Sequence, residues 1–108
     1  MNYKKYLTVS KTFLILTALC SFSAQADNLP DIKQGERMFK LNCATCHGKA
    51  GEKQALGQSA VIRNLKKDEI LTALEKRKSG EIVGAGNMAK ERLNEQDMKN
   101  IAEFIGAK

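Results

Sequence analysis

Cys43, Cys46 and His47 fall within five consecutive residues, in the stretch MFKLNCATCHGKAGEK, and no other cysteine or histidine occurs beyond residue 26. The segment around them is small. The chain has 108 residues, room for one domain, and only two aromatics, Phe39 and Phe104, lie beyond residue 26. A segment with so little bulk builds a modest core and commonly relies on a staple, a metal or a cofactor. A disulfide between Cys43 and Cys46 would close only a tiny loop, so the pair is a poor staple.

The first 26 residues are of another kind. MNYKKYLTVSK is a short basic head, TFLILTALCSF is an apolar run too short to span a bilayer, and Ala24-Gln25-Ala26 is a small-x-small cleavage site. Together they read as a signal peptide over 1–26, cleaved after Ala26 and leaving residues 27–108 exported to the periplasm. An uncleaved anchor is the alternative. Cys20 is preceded by Leu19 rather than a small residue, so it is expected to leave with the leader. Residues 27–108 carry 15 basic and 12 acidic side chains, a net charge of +3. That is too mild to argue for nucleic-acid binding.

Three helices are expected and no stretch alternates like a strand. The first covers 31–47, with Asp31 and Gln34 spaced as a capping box and Ile32, Gly35, Met38, Phe39 and Asn42 on one face. The second covers 65–80. Leu65 and Ile70 are spaced as a hydrophobic staple, Ile70, Leu71 and Leu74 form the stripe, Lys76, Arg77 and Lys78 suit the negative end of the dipole, and Gly80 is the stop. The third covers 93–106, with Asn94 and Asp97 at its start, Leu93 and Met98 staple-spaced, Ile101, Ala102 and Ile105 on the stripe, and Gly106 as terminator. The connections 48–64 and 80–92 read as loops rich in glycine and small residues. Loops of that length need something to wrap around.

Three chemistries could use Cys43, Cys46 and His47. A structural zinc site needs four ligands and finds only three. A dithiol redox motif opens a helix after a strand, whereas this one closes a helix in a strandless chain. Covalent haem attachment has C-x-x-C-H as its signature: two thiols one turn apart meet two vinyl groups, and the imidazole beside them reaches the iron. Haem would also supply the missing apolar mass, and it is the favoured reading. The sixth iron position then falls to a methionine. Met38 shares the helix of the attachment site, and Met98 serves as a staple. Met88 lies in a glycine-rich loop 41 residues beyond His47 and is free to cross the other haem face.

On these residues the chain resembles the small class I c-type cytochromes, above all the bacterial cytochrome c553 type. GERMFKLNCATCHG carries a glycine, Gly35, eight residues before the first cysteine and an aromatic, Phe39, four residues before it. GEKQALGQSAVI and NMAKERLNEQDMKNIAEFI resemble the family's loop after the attachment site and its methionine loop with the last helix. The resemblance covers 31–105. It implies an all-α small cytochrome c fold, three or more helices wrapped around one covalent haem c, with the first and last helices crossing. It also implies that Gly35 admits Phe104 at that crossing. Two prolines common in the family are absent: Pro30 is the only proline, and Ala89 follows Met88. The partner of the His47 N–H is therefore an unidentified backbone carbonyl.

The reading is an exported monomeric electron carrier, not an enzyme and not stably inserted in a membrane. Cys43 and Cys46 hold the haem and His47 and Met88 are the axial ligands. Leu56, Val61, Ile62, Leu71, Leu74 and Ile82 form the pocket wall. The expected donor is a quinol-oxidising complex or a dehydrogenase, and the expected acceptor a terminal oxidase or cytochrome c peroxidase. The alternatives are a five-coordinate haem protein that binds a gas or peroxide, and a haemless zinc or dithiol module.

Overall fold

The computed structural model of the chain describes residues 29–107. The expected signal peptide lies outside them. Five helices run in the order α1 (Ile32–Asn42), α2 (Ala44–His47), α3 (Lys67–Lys78), α4 (Asn87–Glu91) and α5 (Glu95–Gly106), with no strand among the described residues. No described helix is long and apolar enough to cross a membrane.

α1 starts where the Asp31 carboxylate accepts the Gln34 backbone N–H at 3.1 Å. Gln34 does not return the bond. The Asp31 N–H donates instead to Oδ1 of Asn100 in α5, at 2.8 Å, so the cap of the first helix is completed by the last. The sequence reading carried this first helix through to His47. The structure breaks it at Cys43, whose φ of −126° and ψ of −30° leave the helical region. No backbone bond from Ala44 or Thr45 reaches back into α1, while Cys46 and His47 both turn their N–H groups onto the Cys43 carbonyl, at 3.2 and 3.0 Å. The chain tightens there into the single turn of α2. Gly48 stops that turn at φ +80°, a conformation that a side chain would resist. Glu52 folds over Gly48 and accepts the Ala50 N–H at 2.8 Å, which holds its carboxyl below the usual range.

The connection that follows contains two short 3₁₀ turns, Ala55–Gly57 and Ile62–Asn64. α3 begins with the Glu69 carboxylate accepting the Lys66 N–H at 2.7 Å, and it buries Ile70 and Leu74. The second connection differs from expectation in holding a helix, α4, on which Met88 rides. α5 has the expected reciprocal cap: Asn94 Oδ1 accepts from Asp97 N–H at 2.8 Å and Asp97 accepts from Asn94 N–H at 3.0 Å. Gly106 is not the terminator. It is the last helical residue, and a Cβ there would run into Lys67 at the start of α3.

The core is Phe39, Ile70, Leu74, Leu93, Met98, Ile101, Ala102 and Ile105, drawn from α1, α3, α5 and the residue before the α5 cap. Both expected staples form: Leu93 and Met98 are buried, and Leu65 packs beside buried Ile70. Phe39 is wholly enclosed, and its ring meets that of Phe104 with centroids 5.6 Å apart and planes tilted by 51°. Such a pair adds about 0.5–1.5 kcal/mol to area burial. Gly35 lies at the crossing with α5, where a Cβ would overlap the Asn100 carbonyl. Gly35→Ala must push α1 off α5, breaking the Asp31–Asn100 bond with it. The expected cost is about 1–3 kcal/mol, the usual range for overpacking, read as a lower midpoint in denaturant with an unchanged slope.

Candidate functional site

Three residues of the site come from one bend. Cys43 stands at the break between α1 and α2, half-buried against the core, while Cys46 and His47 lie on α2. Both thiols are free, and Cys46 is exposed. Burial pushes the Cys43 thiol up; Lys90 pulls it back in part, and the neighbouring Cys46 adds to the rise. His47 turns its Nδ1 inward, where the nitrogen is buried without a hydrogen-bond partner. Burial also holds the imidazole below its usual pKa, with the charges of Lys90 and Arg77 acting the same way and the Lys53 backbone acting against them. Burial and both charges favour the neutral ring, the form in which an imidazole nitrogen can donate a lone pair to a metal. The Lys53 N–H donates to the His47 carbonyl at 2.9 Å, so this segment is folded back on the histidine.

α4 packs against α3. The charge of its Lys90 acts on Cys43 and on His47, and the pKa of Lys90 is itself lowered, first by burial and then by Arg77. Met88 lies two residues before Lys90 on the same short helix. Met88 itself is 71% exposed, whereas Met98 is 4% exposed and locked in the core. Met38 packs against the core from α1.

The expected pocket residues divide. Leu74 is a core residue, and Ile62 and Leu71 pack partly buried against the same cluster. Val61 is half-buried. Leu56 is 72% exposed, on the 3₁₀ turn beside α2, and takes φ +56°, a strained value for leucine. Ile82 lies in a shallow groove on the outer side of α3, with Thr72, Ala73 and Lys76. The donor set fits haem better than bare metal. Among the described residues no three His, Cys, Asp or Glu side chains converge to hold a metal ion. Two free thiols on one turn, a neutral imidazole, and exposed Leu56 and Met88 from neighbouring elements suit a large apolar group that carries both vinyls and iron.

A family model described as cytochrome c oxidase, cbb3-type, subunit III, matches residues 30–105. A cytochrome c6-like protein of Nostoc is 30% identical over 96 residues, 87% of this chain and 83% of the relative. The chain belongs to the small class I c-type cytochromes. A cytochrome c-553 of Nitratidesulfovibrio vulgaris is 27% identical over 100 residues, 88% of this chain and 96% of the relative. A cytochrome c-553 of Helicobacter pylori is 36% identical over 64 residues, covering 58% of this chain and 67% of the relative. As a c-type cytochrome the chain carries haem c, covalently bound, and is an electron carrier rather than an enzyme.

Sequence reasoning missed two residues of this cytochrome's site. Asn87 and Arg77 join α4 to α3 through side-chain bonds. The signal for Asn87 was present: an asparagine after Gly84-Ala85-Gly86 is a residue suited to bonding nearby backbone.

Proposed function

We propose that this cytochrome is a periplasmic one-electron carrier in which Cys43 and Cys46 bind the haem vinyls and His47 and Met88 bind the iron. The observation that supports the reading is the meeting of Cys43, Cys46 and His47 on one bend, with the charge of Lys90, two residues after Met88, acting on Cys43 and His47. The two thiols would hold the haem as thioethers, each S–H adding across one vinyl C=C with no net oxidation. His47 would bind the iron through Nε2, with its inward Nδ1 buried among backbone groups near Lys53. Met88 would supply the sulfur ligand. When bound, haem iron supplies the one-electron couple, and His/Met ligation raises its potential. The chain's own part is to hold both axial ligands through the change of charge. The test is an optical spectrum of the oxidised protein, in which a long-wavelength iron–thioether band is expected. A high-spin ferric spectrum without that band would replace this reading with the five-coordinate one.

Redox proteins are the proposed partners: a quinol-oxidising complex or a dehydrogenase as donor, a terminal oxidase or a peroxidase as acceptor. Docking is proposed around Ala44, Thr45 and the Met88 helix, where the attached haem edge would be nearest the surface. Two propionates nearly offset the +3 of residues 27–108, so a local patch, not net charge, must steer the approach. Lys40 is paired with Glu36 at 2.6 Å and Lys76 with Glu81 at 3.1 Å, and Lys78 bonds the Glu91 carbonyl at 2.9 Å. Lys49, Lys53 and Lys90 form no ion pair among the described residues. Electron-transfer rates with a purified partner should fall as ionic strength rises, and Lys49→Glu and Lys90→Glu should slow them more than Lys76→Glu and Lys78→Glu. Rates flat with salt would leave an apolar contact as the docking force.

A further inference from the structure

α4 is five residues long, fully buries none of them, and begins at Gly86 in the left-handed region without a side-chain cap. A helix that short does not hold itself. On its far side the buried Leu93 anchors the chain. On its near side the anchor is a single side chain. Asn87 Nδ2 donates to the Ile82 carbonyl at 2.7 Å and to the Arg77 carbonyl at 3.3 Å, and Asn87 Oδ1 accepts from Arg77 Nη1 at 3.3 Å. Both amide donor directions and the oxygen are engaged, all with the last turn of α3 or the loop that leaves it. Met88 follows directly and is 71% exposed, with no buried neighbour of its own on α4.

We infer that Asn87 is the positioning residue for the Met88 sulfur, its amide latching the start of α4 to the end of α3 so that the thioether is presented to the iron. The inference rests on the proposal that Met88 is the sixth ligand. A latch that holds Met88 in place also keeps foreign ligands out, because a competitor must first displace the methionine. The engaged amide should therefore be read in the affinity of the ferric protein for added imidazole, and in the thioether band and reduction potential.

The experiment uses the haem-loaded full chain. Asn87→Ala removes all three bonds and is expected to bind imidazole about tenfold more tightly, with a weakened thioether band and a lower potential. Asn87→Asp keeps the acceptor for Arg77 and loses both donors, so a smaller rise is expected; it decides the matter by the same readouts if Asn87→Ala does not fold. Gln96→Ala breaks the Gln96–Asn100 bond of 2.9 Å away from this loop. It should lower stability and leave imidazole affinity unchanged, which separates positioning from general loosening. Met88→Ala is the reference and should raise imidazole affinity most of all. If Met88→Ala leaves that affinity at the wild-type value, the ligand assignment itself fails. If Met88→Ala raises it while the folded Asn87 variant stays within twofold of wild type, the positioning role is overturned.

Discussion

Replacing both Cys43 and Cys46 by alanine is expected to give a chain that carries no haem through denaturation and does not hold this fold. The wild-type protein, made in a host that exports it and matures c-type haem, should show one haem in its intact mass after unfolding; the double variant should show none. The loss of structure follows from the sparse interior. The core has one fully enclosed aromatic, Phe39, and Leu56, Val83 and Met88 are all more than 70% exposed. Burying side chains of this kind is worth about 1.5–3 kcal/mol each. Losing a haem that covers Leu56 and Met88 would take away several kcal/mol, a large share of the stability of a small domain. The expected far-ultraviolet circular dichroism of the variant is that of a largely unfolded chain. Haem that washes out of the wild-type protein into acidic solvent would reject covalent attachment.

Met88→Ala should produce the second large effect. Without the sulfur the sixth position opens, the oxidised iron moves toward high spin, and the reduction potential drops. Met98→Leu is the comparison. Met98 is 4% exposed, between Leu93 and the α5 stripe, so leucine should fit with a cost under about 1.5 kcal/mol and leave the spectrum as it was. The opposite pattern, a spin change in Met98→Leu and none in Met88→Ala, would move the ligand to α5 and contradict the geometry, since a residue buried in the core cannot reach the site without undoing it.

The parts of this protein that were legible in advance are those written in local chemistry. The spacing of Cys43, Cys46 and His47, the cap at Asn94, and the staple spacing of Leu93–Met98 and Leu65–Ile70 each depend on a few neighbouring side chains or a fixed spacing. What was not legible depends on elements meeting. The break at Cys43 falls in the middle of a helical pattern, because tertiary context sets where the ladder is interrupted. α4 has too few residues to show a periodic stripe, so it read as loop. Gly35 was correctly singled out for close approach, but the atom nearest to it is the Asn100 carbonyl, and a backbone atom leaves no mark in a sequence. Gly106 read as a stop because glycine ends many helices; here it is small so that Lys67 can pass. Asn100 gives no hint of its part in capping a helix that begins 69 residues earlier.

That last separation also sets a timetable. A chain leaves the ribosome, or crosses a membrane, from its N-terminus, so α1 appears early and waits with Phe39 uncovered until α5 has followed. Contacts this distant in sequence close late. Throughout the interval Cys43 and Cys46 sit on an open strand of polypeptide that any attaching machinery can grip. Once Asn100 has bonded to Asp31 and Gly35 has seated on α5, Cys43 is half covered and its thiol is harder to ionise. On the proposed attachment at these two cysteines, assembly would be favoured in the order cofactor first and closure second, with α5 making the closing contacts. A chain cut short before Ile101 would remain permanently in the receptive state: able to take the cofactor, unable to shut around it.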